Sequence, residues 1–275
     1  MKCNFNGNEV IKMYTELNKD EFIIVRDYFK EKYQIPAVSV INNNFPGKIF
    51  VDNKEEPKAI LVWAISRWSY VYFQKENSKS RDFFNSLLQK EITPLMKDLN
   101  EEYFEVYSGN EEAWDDILNT DFEGFNIFNK HFENTFILNY ERFSKVKLNG
   151  NRTKIFERKF PIVPEIYSKY FNSSTMNKEV DGMVLEENER IVSQCVNNGF
   201  ISDNYYFLDL DTFEKSERNK GYASTVAYEL INNLNKKGFM PLWETTEDNL
   251  PSQRVAEKLG FEKVDRYPVY IYKII

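Results

Sequence analysis

The chain has 275 residues, a formal net charge of −7, 42% hydrophobic residues and 16% aromatic residues. The length suits one large or two small domains and supplies enough apolar material for a substantial core. The charge disfavours nonspecific nucleic-acid binding and attraction to anionic membranes, and it suits a neutral or cationic substrate.

In chain order, residues 9–33 place Val10, Met13, Tyr14, Leu17, Phe22, Val25 and Phe29 at helical spacing. Asn42-Asn43-Asn44 and Pro46-Gly47 mark turns. Ala59 to Ile65 and Tyr70 to Phe73 are rich in branched and aromatic residues and predict strands. Residues 80–99 predict an amphipathic helix through Phe83, Phe84, Leu87, Leu88, Leu95 and Leu99, kinked or broken at Pro94. A strand over Tyr103–Tyr107, a helix over Glu111–Leu118 and a mostly extended run from Phe122 to Leu138 complete the first half. The turn-rich stretch Asn149-Gly150-Asn151 marks the boundary, giving two units, 1–145 and 146–275.

The second half predicts a strand over Tyr205–Leu210, then Arg218-Asn219-Lys220-Gly221-Tyr222-Ala223, then a helix carrying Val226, Ala227, Leu230, Ile231 and Leu234 on one face. Lys236-Lys237-Gly238 ends that helix with cations on its negative end and a terminal glycine. A strand (Met240–Trp243), a polar turn (Glu244–Asn249), a helix from about Pro251 to Leu259-Gly260-Phe261 and a closing strand (Val269–Ile275) follow. A loop turning from strand to helix leaves main-chain N–H groups unpaired at the positive end of the helix dipole, which makes an anion site. Gly221 lets the main chain approach a phosphate closely, and Arg218 and Lys220 add charge-assisted donors. A diphosphate cradle is therefore expected here.

These elements and their order resemble the C-terminal core of the GNAT superfamily of N-acyltransferases. Arg218 to Ala223 matches the family's pyrophosphate-loop pattern, Q/R-x-x-G-x-G/A, and Asn249 followed by a helix ending Glu257-Lys258-Leu259-Gly260-Phe261 matches its second motif. Leu242-Trp243-Glu244 and the long N-terminal extension look most like the branch that contains the zwittermicin A resistance acetyltransferases. The resemblance is specific over residues 181–275 and faint over 141–180. It implies a mixed α/β fold, a mostly antiparallel central sheet flanked by helices, with acetyl-CoA bound. Arg218, Asn219, Lys220, Gly221, Tyr222, Ala223 and Ser224 would hold the diphosphate, with Asn249 and Ser252 flanking the CoA arm. Leu210, Asp211 and Thr212 would pair with pantetheine, and a free N–H there would act as an oxyanion donor worth roughly 3 kcal/mol.

The first half repeats the strand–helix–strand–helix–strand order without a residue-level repeat, so it reads as a degenerate GNAT-like half or as an unrelated α/β extension. Where a phosphate loop would fall, Gln74 to Ser80 contains no glycine, and a bound cofactor is not expected there.

The acceptor expected is a small-molecule amine, with antibiotic-like polyamines and amino sugars as examples, attacking the thioester directly. Glu244 either serves as the general base, its pKa raised beside Trp243, or faces solvent. Asp209 and Asp211 alternate with Leu208 and Leu210, and are either solvated or attract the cationic amine. Many family members carry a tyrosine seven residues after the motif asparagine as the acid for the leaving thiolate, but that position is Ala256. Ser252, Tyr205, Tyr206, Tyr267 and Tyr270 are the replacement candidates. Cys195 is not expected as a nucleophile, and the lone His131 is expected to be structural. Only Cys3 and Cys195 occur, so neither a disulfide framework nor a thiolate zinc cluster is expected, and no metal is assigned. Met1-Lys2-Cys3-Asn4 shows no signal-peptide pattern and Ala59–Ile65 is too short to span a bilayer, so a cytoplasmic monomer or homodimer is expected. Two other functions fit the same sequence: a noncatalytic acyl-CoA sensor, which Ala256 allows, and a tandem aminoacyl transferase using charged tRNA. The acidic charge and the intact phosphate loop argue against the second.

Overall fold

The structure is a computed structural model that describes residues 13–65, 68–75, 77–148, 154–162 and 179–275. The expected boundary at Asn149-Gly150-Asn151, residues 9–12 of the expected first helix and the 163–178 part of the faint resemblance lie outside the described residues. In the first half the strands are β1 (Thr15–Glu16), β2 (Lys48–Val51), β3 (Ala59–Trp63), β4 (Ser69–Phe73), β5 (Tyr103–Tyr107) and β6 (Phe125–Leu138). Its helices are α1 (Ile35–Ile41), α2 (Ser80–Leu87), α3 (Thr93–Leu99), α4 (Glu112–Leu118) and α5 (Tyr140–Ser144). The second half contributes β7 (Ile155–Pro161), β8 (Glu179–Glu187), β9 (Arg190–Ser202), β10 (Tyr205–Thr212), α6 (Tyr222–Lys236), β11 (Met240–Thr246), α7 (Leu250–Lys258) and β12 (Phe261–Ile274).

All twelve strands join one sheet in the order β1-β2-β3-β4-β5-β12-β6-β11-β10-β9-β8-β7. Pairing is antiparallel except for β4 with β5 and β10 with β11. The expected mixed, mostly antiparallel fold flanked by helices is therefore observed. The centre of the sheet is an exchange. The last strand of each half lies inside the other half, β12 beside β5 and β6 beside β11. The two long strands also pair with each other, from Phe261 opposite Leu138 to Ile274 opposite Phe125.

The expected first helix is not formed over its described part. Thr15 and Glu16 pair with Val51 and Phe50 as an edge strand. Tyr14 and Leu17, three apart, then fall on opposite faces of the sheet and enter different core clusters. Helical turns begin only at Phe22–Tyr28, which is 3-10. The α1 helix was hidden from periodicity because every residue from Ile35 to Ile41 is buried, which leaves no polar face to set a rhythm. The 80–99 helix is continuous. Ahead of Pro94 it widens into a π turn over Leu88–Ile92, and the Thr93 hydroxyl donates to the Leu88 carbonyl at 2.7 Å. That turn absorbs the break expected from proline. In the second half, α6 buries Val226, Ala227, Leu230, Ile231 and Leu234 against strands β8 to β10, which presents its N-terminus beside the end of β10.

Candidate active site

Strands β10 and β11 are in parallel register only from Tyr205 opposite Met240 to Phe207 opposite Leu242. Beyond that pair they part. Leu208 to Thr212 stay bonded to β9, while Trp243 to Thr246 stay bonded to β6. The gap is helped by an irregularity in β9: Tyr206 pairs with Ile201 but Leu208 pairs with Asn197, so β9 carries extra residues at this point. Gly199 takes φ +93° there. Asn197 and Asn198 turn their side-chain oxygens back to the Gly199 and Phe200 N–H groups at 2.9 and 3.1 Å. A bulge of this kind increases twist and re-aims side chains.

One cavity, of about 610 Å³, runs from the gap to the start of α6. Leu210, Asp211, Thr212, Arg218, Asn219, Gly221, Tyr222, Ala223, Ser224, Asn249 and Ser252 all line it, so nearly all of the expected CoA residues are brought together. Lys220 is the exception, with its ammonium 2.8 Å from the Glu217 carboxylate. Asn219 (φ +62°) and Gly221 (φ +84°) both adopt the left-handed conformation, which turns successive N–H groups toward one side. A Cβ built on Gly221 would meet nothing within 4 Å, so its backbone angle, and not lack of room, calls for glycine. Gly221 is the N-cap and offers no side chain to cap α6, so the first-turn N–H groups of Tyr222, Ala223 and Ser224 are left for an outside acceptor. This arrangement fits a diphosphate. Arg254 and Lys258 on α7 also line the cavity. They escaped the sequence reading, although their i, i+4 spacing along a helix expected to flank the CoA arm was a usable signal.

A second cavity, of about 590 Å³, continues from the first through Leu210, Asp211, Asn249 and Ser252. Its walls come from both halves: Trp68, Glu105, Tyr107 and Glu133 from the first, and Gln194, Asn198, Asp209, Trp243 and Glu244 among others from the second. Glu244 lies within β11, not in a turn after it, and is half-buried with its open side on this cavity. Burial pushes its carboxyl well above the usual carboxylate range, and repulsion from Glu133, Asp209 and Glu105 adds to the shift. The buried Tyr267 hydroxyl donates to Glu244 and is 3.2 Å from the Thr135 hydroxyl. Tyr33 stacks on the Tyr267 ring with centroids 4.0 Å apart, so a residue of the first half fixes the orientation of the phenol that holds Glu244.

Ser252 lines both cavities. Its N–H bonds to the Asn249 side-chain oxygen at 3.2 Å, the N-cap contact of α7. Its hydroxyl accepts from the Trp243 indole N–H at 3.0 Å. Because an indole only donates, the Ser252 O–H is left to donate into the groove. Tyr205 lies at the other end of β10 and lines neither cavity. Its ring packs with Ile35, Phe207 and Leu242 and carries the Lys32 ammonium 3.6 Å from its centroid. Tyr206 and Tyr270 are buried, Tyr270 donating to Asp115 at 2.8 Å. Ala256 is fully buried in the core with Leu259 and Phe261. Cys195 is fully buried, and burial together with Asp209 and Asp211 raises its thiol well above the usual range, which suits an inert core residue. His131 sits behind Glu133, with Nε2 3.2 Å from the carboxylate. Among the described residues no cluster has the composition to hold a metal ion.

The corresponding loop of the first half is built differently. The N–H groups of Asn77, Lys79 and Ser80 bond to Gln74 O, Asn77 Oδ1 and Asn77 O. Lys79, the N-cap of α2, has ordinary right-handed geometry. The cavity beside this loop sets Asp52 and Glu56 among Lys58, Lys75 and Lys79, so it has charge for an anion but lacks the turned-out N–H groups of the Arg218–Ser224 loop. Among the described residues no helix is long and apolar enough to cross a membrane.

A family model described as GNAT acetyltransferase matches residues 26–270. A search of curated protein sequences finds no match. Solved structures share the fold across nearly the whole chain. A GCN5-related N-acetyltransferase-like protein from Streptococcus suis 89/1591 superposes with a TM-score of 0.60 at 16% identity, covering 92% of this chain and 99% of its own. A GCN5-related N-acetyltransferase from Sphaerobacter thermophilus gives 0.59 at 12% identity, covering 95% and 96%. A tandem GNAT protein from the clavulanic acid biosynthesis pathway gives 0.54 at 9% identity, covering 94% and 98%. The family match takes in most of the chain and runs through the Arg218–Ser224 loop, the parted strands and the α7 N-cap, so the chain belongs to the GNAT acetyltransferase family.

Proposed function

We propose that the protein is an acetyl-CoA-dependent N-acetyltransferase that acylates a small-molecule amine by direct attack on the thioester. The observation that carries this reading is the continuity of the two cavities. The first ends on an uncapped helix start suited to a diphosphate, the second ends on the high-pKa carboxylate Glu244, and Ser252 lies where they meet. Acetyl-CoA supplies the activated acyl group. Tyr222, Ala223 and Ser224 N–H groups and Arg218 hold its diphosphate. A main-chain N–H of Leu210, Asp211 or Thr212, facing the gap, polarises the carbonyl. Glu244, oriented by Tyr267, takes a proton from the substrate ammonium, and the neutral amine so formed attacks the thioester carbonyl. The Ser252 hydroxyl is placed to protonate the departing thiolate, a role that Tyr205 is too remote to fill.

In this reading the chain is two GNAT-like halves, 1–145 and 146–275, with one cofactor site, and the first half walls the acceptor pocket with Trp68, Glu105, Tyr107 and Glu133. The resemblance of Leu242-Trp243-Glu244 to the branch with zwittermicin A resistance acetyltransferases supports a small-molecule acceptor, and the setting proposed is cytoplasmic. Ala256 at the tyrosine position favours a second reading, a noncatalytic acyl-CoA sensor. An amine panel with acetyl-CoA, followed by thiol release, separates the two. Turnover that falls by roughly 10²–10⁴-fold in Glu244→Gln, the usual worth of a placed general base, is expected. Acetyl-CoA binding with no turnover on any amine would establish the sensor.

A further inference from the structure

The acceptor cavity is far more acidic than acylation of one amine requires. Glu105, Glu133, Asp209, Asp211 and Glu244 line it, and no lysine or arginine among the described residues does. Glu244 has its Tyr267 donor and Glu133 faces His131, whose imidazole it pulls toward the charged form. The Glu105 carboxylate has neither a hydrogen bond nor an ion pair within the described residues, although it is half-buried and held above the usual range by burial and by Glu133. His131 offsets that shift only in part, and a cation bound in the cavity would pair the carboxylate directly. The Tyr107 and Trp68 rings, with centroids 5.3 Å apart, line the same region and offer π faces.

The second observation is independent of charge. Asn198, 2% exposed, lines the cavity with its Nδ2 unpartnered. Buried donors are seldom left so, and this one sits on the β9 bulge, where the Asn198 Oδ1 is held by the Phe200 N–H. The cavity is thus built to enclose a ligand that supplies a lone pair as well as positive charge.

The sheet order gives the spacing. Glu105 on β5 and Glu244 on β11 are separated by β12 and β6, three strand intervals, and are also staggered along the strands, Glu105 level with Asn129 of β6 and Glu244 level with Thr135, yet the two carboxylates are near enough for Glu105 to raise the Glu244 carboxyl. With both side chains reaching inward, they address two points several ångströms apart on one molecule. We infer that the acceptor is a small dication: one ammonium is deprotonated by Glu244 and acylated, while a second is held by Glu105, with Glu133 assisting, against the Trp68 and Tyr107 rings, and Asn198 donates to an oxygen of the same molecule. This deepens the transferase reading and rests on it for the acylated end only.

The test compares pentylamine with 1,5-diaminopentane, which differ by one terminal ammonium, and 1,3-diaminopropane with 1,3-diamino-2-propanol, which differ by one hydroxyl. Binding of each to the full chain is measured by calorimetry with CoA present, and kcat/KM by thiol release. The wild type should favour the diamine over the monoamine by tenfold or more, roughly the worth of one charge-assisted contact. Glu105→Gln should cut that ratio about tenfold while raising Tm, because an unpartnered carboxylate is removed. Asn198→Leu should erase the preference for the hydroxylated diamine. Equal binding of mono- and diamine by the wild type, or an unchanged ratio in Glu105→Gln, overturns the assignment of Glu105. An unchanged hydroxyl preference in Asn198→Leu overturns the oxygen contact. Preferential diamine binding without acetyl transfer upholds the dication site while refuting the transferase reading, so the two can fail separately.

Discussion

Replacing Gly221 by asparagine and, separately, by aspartate separates the backbone requirement of the loop from its anion chemistry. Gly221 sits at φ +84°, and a Cβ there meets nothing within 4 Å. The steric cost of a side chain is therefore small, and what remains is the left-handed conformation, about 1–2 kcal/mol for most residues and less for asparagine or aspartate. The two replacements have nearly the same shape and differ by one charge. At a helix N-cap aspartate is as good as asparagine, and its charge favours the helix dipole, so Gly221→Asp should be at least as stable as Gly221→Asn. Toward a diphosphate the sign reverses. A carboxylate about 6 Å from a unit negative charge is repelled by about 0.7 kcal/mol at water's dielectric and by about 3 kcal/mol at an effective dielectric near 20. Two phosphate charges bring the penalty to about 1.4–6 kcal/mol, at least tenfold in Kd, and at the upper end binding is abolished. Calorimetric acetyl-CoA affinity and thermal denaturation on the three proteins give both quantities. Equal acetyl-CoA affinity for the asparagine and aspartate variants would refute the assignment of this loop to the diphosphate.

Glu244 has a folded-state pKa above its unfolded one. Between the two values the folded chain holds a proton that the unfolded chain has lost, so its contribution to stability falls as pH rises through that window and levels off above it. Glu244→Gln should therefore be more stable than wild type at high pH, with the gap closing as pH falls through that window, from the raised folded-state pKa down to the ordinary carboxylate value. Thermal denaturation across pH checks this, and a gap independent of pH contradicts it. In wild type kcat/KM should rise over the same window, a limb that the variant lacks. The fragment 146–275 loses β6 from between β11 and β12 and β5 from the other side of β12, leaving β11 with one bare edge and β12 with two. It is expected to aggregate when expressed alone, and a soluble, monomeric, CoA-binding fragment would show that the exchange is dispensable.

The legible parts of the sequence were those where local chemistry and tertiary role coincide. The alternation of Asp209 and Asp211 with Leu208 and Leu210, the periodic face of α6 and the Arg218–Ser224 loop each carry their signal within a few residues. The exchange of β6 and β12 was not legible. Each is an ordinary aromatic strand in sequence, and its neighbours are set by pairing across more than a hundred residues. Glu105 and Glu133 were missed as site residues, and Tyr267 was named only as a candidate acid and not as the partner of Glu244, for the same reason: they sit on strands far apart in the chain, and only the exchanged order brings them to Glu244. Asn198 did carry a local signal. Asn197-Asn198-Gly199 is turn chemistry inside an otherwise extended run, which marks a bulge and a re-aimed side chain. Tyr205 was a candidate because it is a tyrosine on the correct strand, but strand identity does not say which end of the strand faces the gap.

The most direct test of the account is a crystal structure of the full chain with CoA. One CoA per chain is expected, its diphosphate on the N–H groups of Tyr222, Ala223 and Ser224, and its sulfur beside the Ser252 hydroxyl at the mouth of the cavity that holds Glu244. A diphosphate bound at the Gln74–Lys79 loop, or a sulfur pointing away from Ser252 and Glu244, would contradict it.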